Sequence, residues 1–148
     1  MNSDRKLQLS KFIRAERSKV FAAWTEPELM RQWFCPRELT LVSAEADVRV
    51  GGRFRAAMSN GTETYTVNGI YRELVPDQRL VFSHRWEEQD AVDTLVTVEF
   101  ADQDGGTLVS LTHEGFSTQE SAKGHEGGWQ STFDNLVHYL ASAARGGR

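Results

Sequence analysis

The 148-residue chain has a single cysteine, Cys35, three prolines and no long apolar run. One cysteine excludes an internal disulfide and agrees with a reducing compartment. The opening MNSDRKLQLSKF carries no hydrophobic stretch, so neither a secretory signal nor a membrane span is expected there, and a cytoplasmic location follows by default. Basic residues are scattered and the formal net charge is -4, so no nucleic-acid partner and no membrane surface is expected. No GxSxG elbow or phosphate loop occurs, and the glycines of VGGRF lack dinucleotide spacing.

What is present is the composition of one globular domain, assigned to residues 1–148, with 39% apolar and 26% charged residues. Residues 6–15 alternate as a strand, although Phe12-Ile13 breaks the pattern. Ser18 is placed to cap a short helix with Val20, Phe21 and Trp24 inside. Thr25-Glu26-Pro27-Glu28 has the form of a capping box for a second short helix, which runs to about Trp33 and ends at Cys35-Pro36.

The period then changes to two. Strands are expected at 39–46, from Gly51-Gly52 through Phe54, Ala56 and Met58, at 63–75, at 79–88, at 93–101 and at 107–114. Asn60-Gly61 and Asp104-Gly105 are hairpin signals. Ser117 and Glu120 form a second capping box ahead of a long helix. In that helix Trp129, Phe133, Leu136, Val137 and Leu140 share a face, with His125 one turn before Trp129.

The order implies an α+β architecture: an antiparallel sheet of six to seven strands curled around the terminal helix, with two short helices after the first strand. A narrow helical stripe cannot fill a broad sheet face, so large inward side chains or a cavity must take up the difference. The pocket is expected to be lined by Phe54, Met58, Phe82, Trp86, Trp129 and Phe133, with Trp33 nearby and with His84 and His113 as polar lining. No metal is expected, because the His and Glu residues have no ligand spacing, and adjacent pairs such as His113-Glu114 and His125-Glu126 point in different directions. No cofactor is indicated, and no residue is singled out as catalytic.

Six ordered segments carry a resemblance: FAAWTEPELMRQWFCP, VGGRF, TVNGIYRELVPDQRLVFSHRWEE, TLVTVEFAD, LTHEGF and GHEGGWQSTFDNLVHYL. Together they resemble the SRPBCC (START-like) superfamily. Within it the chain is similar to bacterial homologues of the C-terminal domain of activators of the ninety-kilodalton heat-shock ATPase. The resemblance spans about Leu7 to Leu140 and implies a helix-grip fold with a cavity that holds an apolar ligand. Two departures stand out. Cys35 occupies a position where many relatives carry glycine or alanine, which puts a thiol at the expected cavity rim. The extra N-terminal domain of the eukaryotic co-chaperones has no counterpart, which argues against direct chaperone activation.

Three functional classes follow. The first is a carrier or sensor of a small hydrophobic molecule, monomeric or homodimeric. The second is an enzyme of the cyclase or dehydratase type using His84, His113 or Glu114 as acid or base. The third is a co-chaperone-like interaction module with a chaperone partner. The first is preferred, because the outward strand positions are largely Thr, Glu, Arg and Ser. Two further expectations concern local chemistry. Cys35, near Arg37, is read either as an inert small side chain or as a reactive thiol with its thiolate favoured. Gly124, Gly127 and Gly128 are read either as sites of close backbone packing or as a loosened helix start that opens the pocket mouth.

Overall fold

The computed structural model describes residues 5–87 and 93–145. Its elements are β1 (Lys6–Ile13), α1 (Arg17–Thr25), α2 (Pro27–Met30), β2 (Thr40–Ala46), β3 (Arg53–Ser59), β4 (Thr64–Val75), β5 (Arg79–Trp86), β6 (Thr94–Gln103), β7 (Gly106–Glu114) and α3 (Gln119–Arg145). Glu88, where the fifth strand was expected to end, lies outside the described residues, as do the extremes of the 1–148 domain assignment.

The seven strands form one antiparallel sheet in the order β1-β7-β6-β5-β4-β3-β2. Every neighbour pair but one is consecutive in sequence. The exception joins the first strand to the last, with Leu7 opposite His113 and Ile13 opposite Thr107. This is the α+β helix-grip arrangement: a curved sheet around a long C-terminal helix, with two short helices after the first strand.

Local chemistry explains the turns and the curl. Asp104 and Gly105 both have positive φ and form a two-residue hairpin between Gln103 and Gly106, as the right-handed strand twist favours. Register shifts fall between Leu41 and Ser43 and between Tyr71 and Glu73. Such bulges bend the strands that carry them. Beside the second shift the Ser83 hydroxyl accepts from the Ile70 N–H. A Cβ at Gly69 would collide with the Ser83 carbonyl and the Phe54 ring, so this approach requires glycine.

Three expected helix caps are not formed. The α1 helix starts two residues earlier than Ser18 predicts, with Glu16 as N-cap and no side-chain cap bond. Thr25 closes α1 by donating to the Phe21 carbonyl, so it is unavailable to α2, whose N-cap is Glu26. That second helix ends at Met30, and Trp33 lies in the following turn. For α3 the hydroxyl of Thr118, rather than of Ser117, accepts from the Ser121 N–H at 3.0 Å.

The core lies between α3 and the sheet. Trp129, Phe133, Leu136 and Leu140 are buried on one face of α3. Trp24, from α1, sits at the centre of an aromatic cluster. It stacks on Trp129 at 6.0 Å and meets Trp33, Phe34, Phe100 and Phe133 edge-on at 4.8–6.4 Å. These edge-to-face contacts add to area burial and pin the short helices to α3.

Candidate functional site

The short helices plug one half of the sheet's concave face and leave the other half open. Trp24, Met30 and Phe34 close over Phe54, Tyr71 and Phe82, and only about 10 Å³ of empty space remains among them. The other half holds a recess of about 380 Å³. Met58 of β3, Val67 of β4, and His84 and Trp86 of β5 form its floor. One wall is the segment Phe34, Cys35, Pro36 and Leu39. The opposite wall is α3, through Ser121, Gly124, His125, Gly128, Trp129 and Thr132.

Four of the expected lining residues border this recess: Met58, His84, Trp86 and Trp129. Five others do not, and the reason is packing. Phe54 and Phe82 lie under the plug made by the short helices. Trp33 is fully buried against Trp24, with its Nε1–H donating to the Ala23 carbonyl at 3.0 Å. Phe133 is enclosed between Trp24 and Trp129. His113 is likewise sealed inside, at 0% exposure. Glu114, next along β7, lines a surface groove with Arg5 and Arg72, as strand alternation requires, and does not border the recess.

Three imidazoles gather beside the recess. His84 lies 4.7 Å from His113 and 5.9 Å from His125, and His113 lies 5.4 Å from His125, measured between ring centroids. Two of them have their protons fixed by indoles. Trp129 Nε1–H donates to His113 Nδ1 at 3.0 Å. His113 is then neutral with its proton on Nε2, and it donates to the Thr94 hydroxyl at 2.7 Å, which donates onward to the His84 carbonyl. In the same way Trp86 Nε1–H donates to His125 Nε2 at 3.0 Å, and His125 Nδ1–H donates to the Ser121 carbonyl at 2.8 Å.

Burial makes all three rings poor bases. It pushes His84 down to about 3, helped by the nearby His125. It holds His113 well below the ordinary histidine range, with His84 and His125 adding to the effect. His125 is lowered by burial against a small opposing contribution from the Ser121 carbonyl. Neutral rings bonded in this way are fixed polar fittings. Among the described residues no cluster of His, Cys, Asp and Glu has the geometry to hold a metal ion.

The surroundings of the Cys35 thiol disfavour the thiolate and so the reactive reading. The thiol donates to the Leu39 carbonyl at 3.4 Å and is half-buried, and burial raises its pKa. Arg37, expected to favour the thiolate, is engaged with Asp134 at 3.5 Å. The α3 glycines also resolve differently. A Cβ at Gly124 or Gly127 would meet nothing within 4 Å, and one at Gly128 would make only ordinary contact with Pro36 at 3.8 Å. Close packing is therefore not their purpose. Gly124 and Gly128 border the recess, and with Thr132 they repeat every four residues along one face. Small residues there create the hollow beside Trp129.

His125, Thr94 and this small-residue stripe were not among the expected site residues. The i, i+4, i+8 spacing of Gly124, Gly128 and Thr132 is the signal that would have located the α3 wall. Thr94 had no signal of its own, because its role depends on the β5–β6 pairing that places it opposite His84.

Residues 14–141 match the family model described as activator of Hsp90 ATPase homolog 1-like protein. The chain belongs to that family. Solved structures agree in fold. A protein from Nitrosomonas europaea superposes with a TM-score of 0.83 at 21% identity, covering 98% of this chain and 99% of its own. The AHSA1 protein from Silicibacter pomeroyi gives 0.82 at 24% identity, with 93% and 99% covered. The AHSA1-like protein from Aeromonas hydrophila gives 0.76 at 25% identity, with 94% of each chain covered. No curated protein matches the chain. No helix among the described residues is long and apolar enough to cross a membrane.

Proposed function

We propose that this family member binds a small hydrophobic molecule in the recess between β3–β5, the Phe34–Leu39 segment and α3. The observation that carries the reading is a hollow of about 380 Å³ walled by Phe34, Leu39, Met58, Val67, Trp86 and Trp129. Its size falls within the range of about 300–1,000 Å³ typical of small-molecule sites. Bulky aromatics elsewhere in this core are interlocked, so space left beside a glycine-bearing helix face supports a use for it.

The Phe34–Leu39 wall is tied to α3. Asn135 Nδ2 donates to the Cys35 carbonyl at 2.7 Å, and the Arg37 N–H donates to the Ser131 hydroxyl. These bonds give the recess a defined shape before any ligand arrives, which lowers the cost of binding.

The family's name raises a second occupant, a chaperone ATPase of the Hsp90 type. The large exposed apolar side chains among the described residues are Val42 and Val50. Two valines make a small apolar centre for a protein interface, and this weighs towards the small molecule.

The test uses the neutral apolar dye N-phenyl-1-naphthylamine. It should bind saturably and take energy from Trp86 and Trp129. Gly124→Leu, which projects a side chain into the recess, should abolish the signal while the urea midpoint is kept. Dye binding that survives in the filled but folded variant would overturn the reading.

A further inference from the structure

One kind of bond, an indole N–H given to an imidazole nitrogen, occurs in two different settings. Trp129 gives its proton to His113, which is sealed in the core at 0% exposure. Trp86 gives its proton to His125 Nε2 at 3.0 Å, and both of these residues are only partly buried. The recess has a buried bottom and a partly exposed rim. Phe34, Met58, Val67, His84, Trp129 and Thr132 form the bottom, whereas Trp86 and His125 belong to the rim. Their bond ties the end of β5 to the first turns of α3 at that rim.

An indole nitrogen only donates, so this bond exists only while His125 Nε2 carries a lone pair. The other ring nitrogen is already committed, because Nδ1–H donates to the Ser121 carbonyl at 2.8 Å. A proton arriving from solvent therefore has one place to go, Nε2. There it sets N–H against N–H, and the bond to Trp86 is lost.

Among the described residues, the groups that face His125 do not take that proton first. From β5 it is faced by His84, held down at about 3, and from β7 by His113, held well below the ordinary range. A charge on His125 lowers both of them further. Phe116, 4.7 Å away, is apolar. Cys35, elsewhere on the rim, is a neutral thiol, and the lining contains no Lys, Arg, Asp or Glu. Burial lowers His125 in the closed arrangement, and release of Trp86 relieves that burial. The opened arrangement then takes up a proton near the usual 6.5 and the closed one only below it. Acid therefore favours opening below about 6.5 and has no such effect above it.

We infer that the Trp86–His125 bond is a proton-released latch on the recess: neutral His125 holds the rim closed, and protonated His125 frees Trp86 and lets a ligand enter and leave. This inference rests on the proposed small-molecule site and adds its regulation. Opening is transient, and the closed form that holds the ligand is the same before and after. Entry and release therefore speed up together and affinity is kept.

Two measurements on the full chain test the latch, each at about pH 7.5 and about pH 5.5, with near-UV circular dichroism recording that the fold is kept. The first is stopped-flow mixing with N-phenyl-1-naphthylamine, followed by the dye's own emission. A single group with an ordinary histidine value in the open form shifts the opening equilibrium by up to about 10-fold over this range. Wild-type entry and release should each be about 5- to 10-fold faster at the lower pH. Trp86→Phe has no indole N–H to lose and His125→Gln has no proton to gain, so the rates of both variants should be the same at the two pH values. The second measurement is the nitrogen–proton NMR signal of the Trp86 indole, assigned by its loss in Trp86→Phe. It should move as the pH falls below about 6.5, while that of Trp129 stays in place. A Trp86 signal that does not move, or a pH effect on the rates that survives in both variants, overturns the latch and leaves the site standing. Faster release with unchanged entry also overturns it, because the proton would then act on the contacts of the bound dye. If the dye does not bind at all, the site falls and its regulation falls with it.

Discussion

Trp129 donates its indole N–H to His113 Nδ1 at 3.0 Å, and that bond dictates where the histidine proton resides. With Nδ1 occupied as an acceptor, Nε2 must carry the hydrogen, and the Thr94 hydroxyl 2.7 Å away passes the polarity on to the His84 carbonyl. The chain joins α3, β7, β6 and β5 through polar atoms inside an apolar core. It locks the aromatic wall of the recess in one orientation.

His113→Leu should therefore destabilise the fold by about 2–4 kcal/mol, because it strands a buried indole N–H and disturbs the Thr94 hydroxyl. His113→Gln, whose amide offers both an acceptor and a donor, should recover part of the loss. Urea denaturation of both variants measures this. Equal midpoints for wild type and His113→Leu would show that the network contributes nothing.

Stability should fall as the solution is acidified. The three clustered imidazoles are neutral in the folded protein, with His84 down at about 3 and the other two also lowered, whereas in the unfolded chain they titrate near the usual 6.5. Below that value the unfolded state binds more protons than the folded state, so stability is present above about 6.5 and is lost progressively as pH drops. Each ring that stays neutral contributes a slope of up to about 1.4 kcal/mol per pH unit. The urea midpoint should drop steadily from about pH 7 to pH 5, and His84→Phe should make the slope shallower. A flat midpoint over that window would contradict the neutral cluster.

The fold was legible in sequence because period-two and period-3.6 patterns report which face of an element is apolar. Leu80, Phe82 and His84 on β5, and Val109, Leu111 and His113 on β7, are buried together as their alternation required. The site was legible only in part. Periodicity says that Phe54 and Phe82 face inward, but not that Trp24, Met30 and Phe34 cover them. That depends on where α1 and α2 dock, which no local pattern encodes. Caps failed for a related reason. Thr25 has two competing uses, bonding back to Phe21 or capping α2, and the tight junction of the two short helices favours the first.

Cys35 should react slowly with alkylating reagents in the native protein. Its thiol is half-buried and donates to the Leu39 carbonyl, and burial raises its pKa above 9.0, so little thiolate exists near neutrality. Iodoacetamide modification, followed by mass spectrometry, should be about 10-fold or more slower than in the urea-unfolded chain, and should accelerate only above about pH 9. Because Cys35 borders the recess, N-phenyl-1-naphthylamine should slow the reaction further. Equal rates in folded and unfolded protein would show an exposed thiol.

The glycines of α3 separate backbone cost from cavity volume. Gly127 faces solvent with nothing within 4 Å of an added Cβ, so Gly127→Ala should stabilise the protein by about 0.4–1 kcal/mol and leave dye affinity unchanged. Gly124→Ala should stabilise by a similar amount, but its methyl group occupies the recess and should weaken the dye. If the glycines also loosen the helix start, Gly127→Ala should slow dye entry and release together. Stopped-flow fluorescence from Trp86 and Trp129 reads those rates. Asn135→Ala supplies the contrast. It removes the bond that holds the Cys35 carbonyl to α3, so it should speed both entry and release without filling any space. Rates that respond to Asn135→Ala and not to Gly127→Ala would place the movable element in the Phe34–Leu39 wall. The glycines would then serve to leave room. Rates that respond only to Gly127→Ala would place it in the first turns of α3.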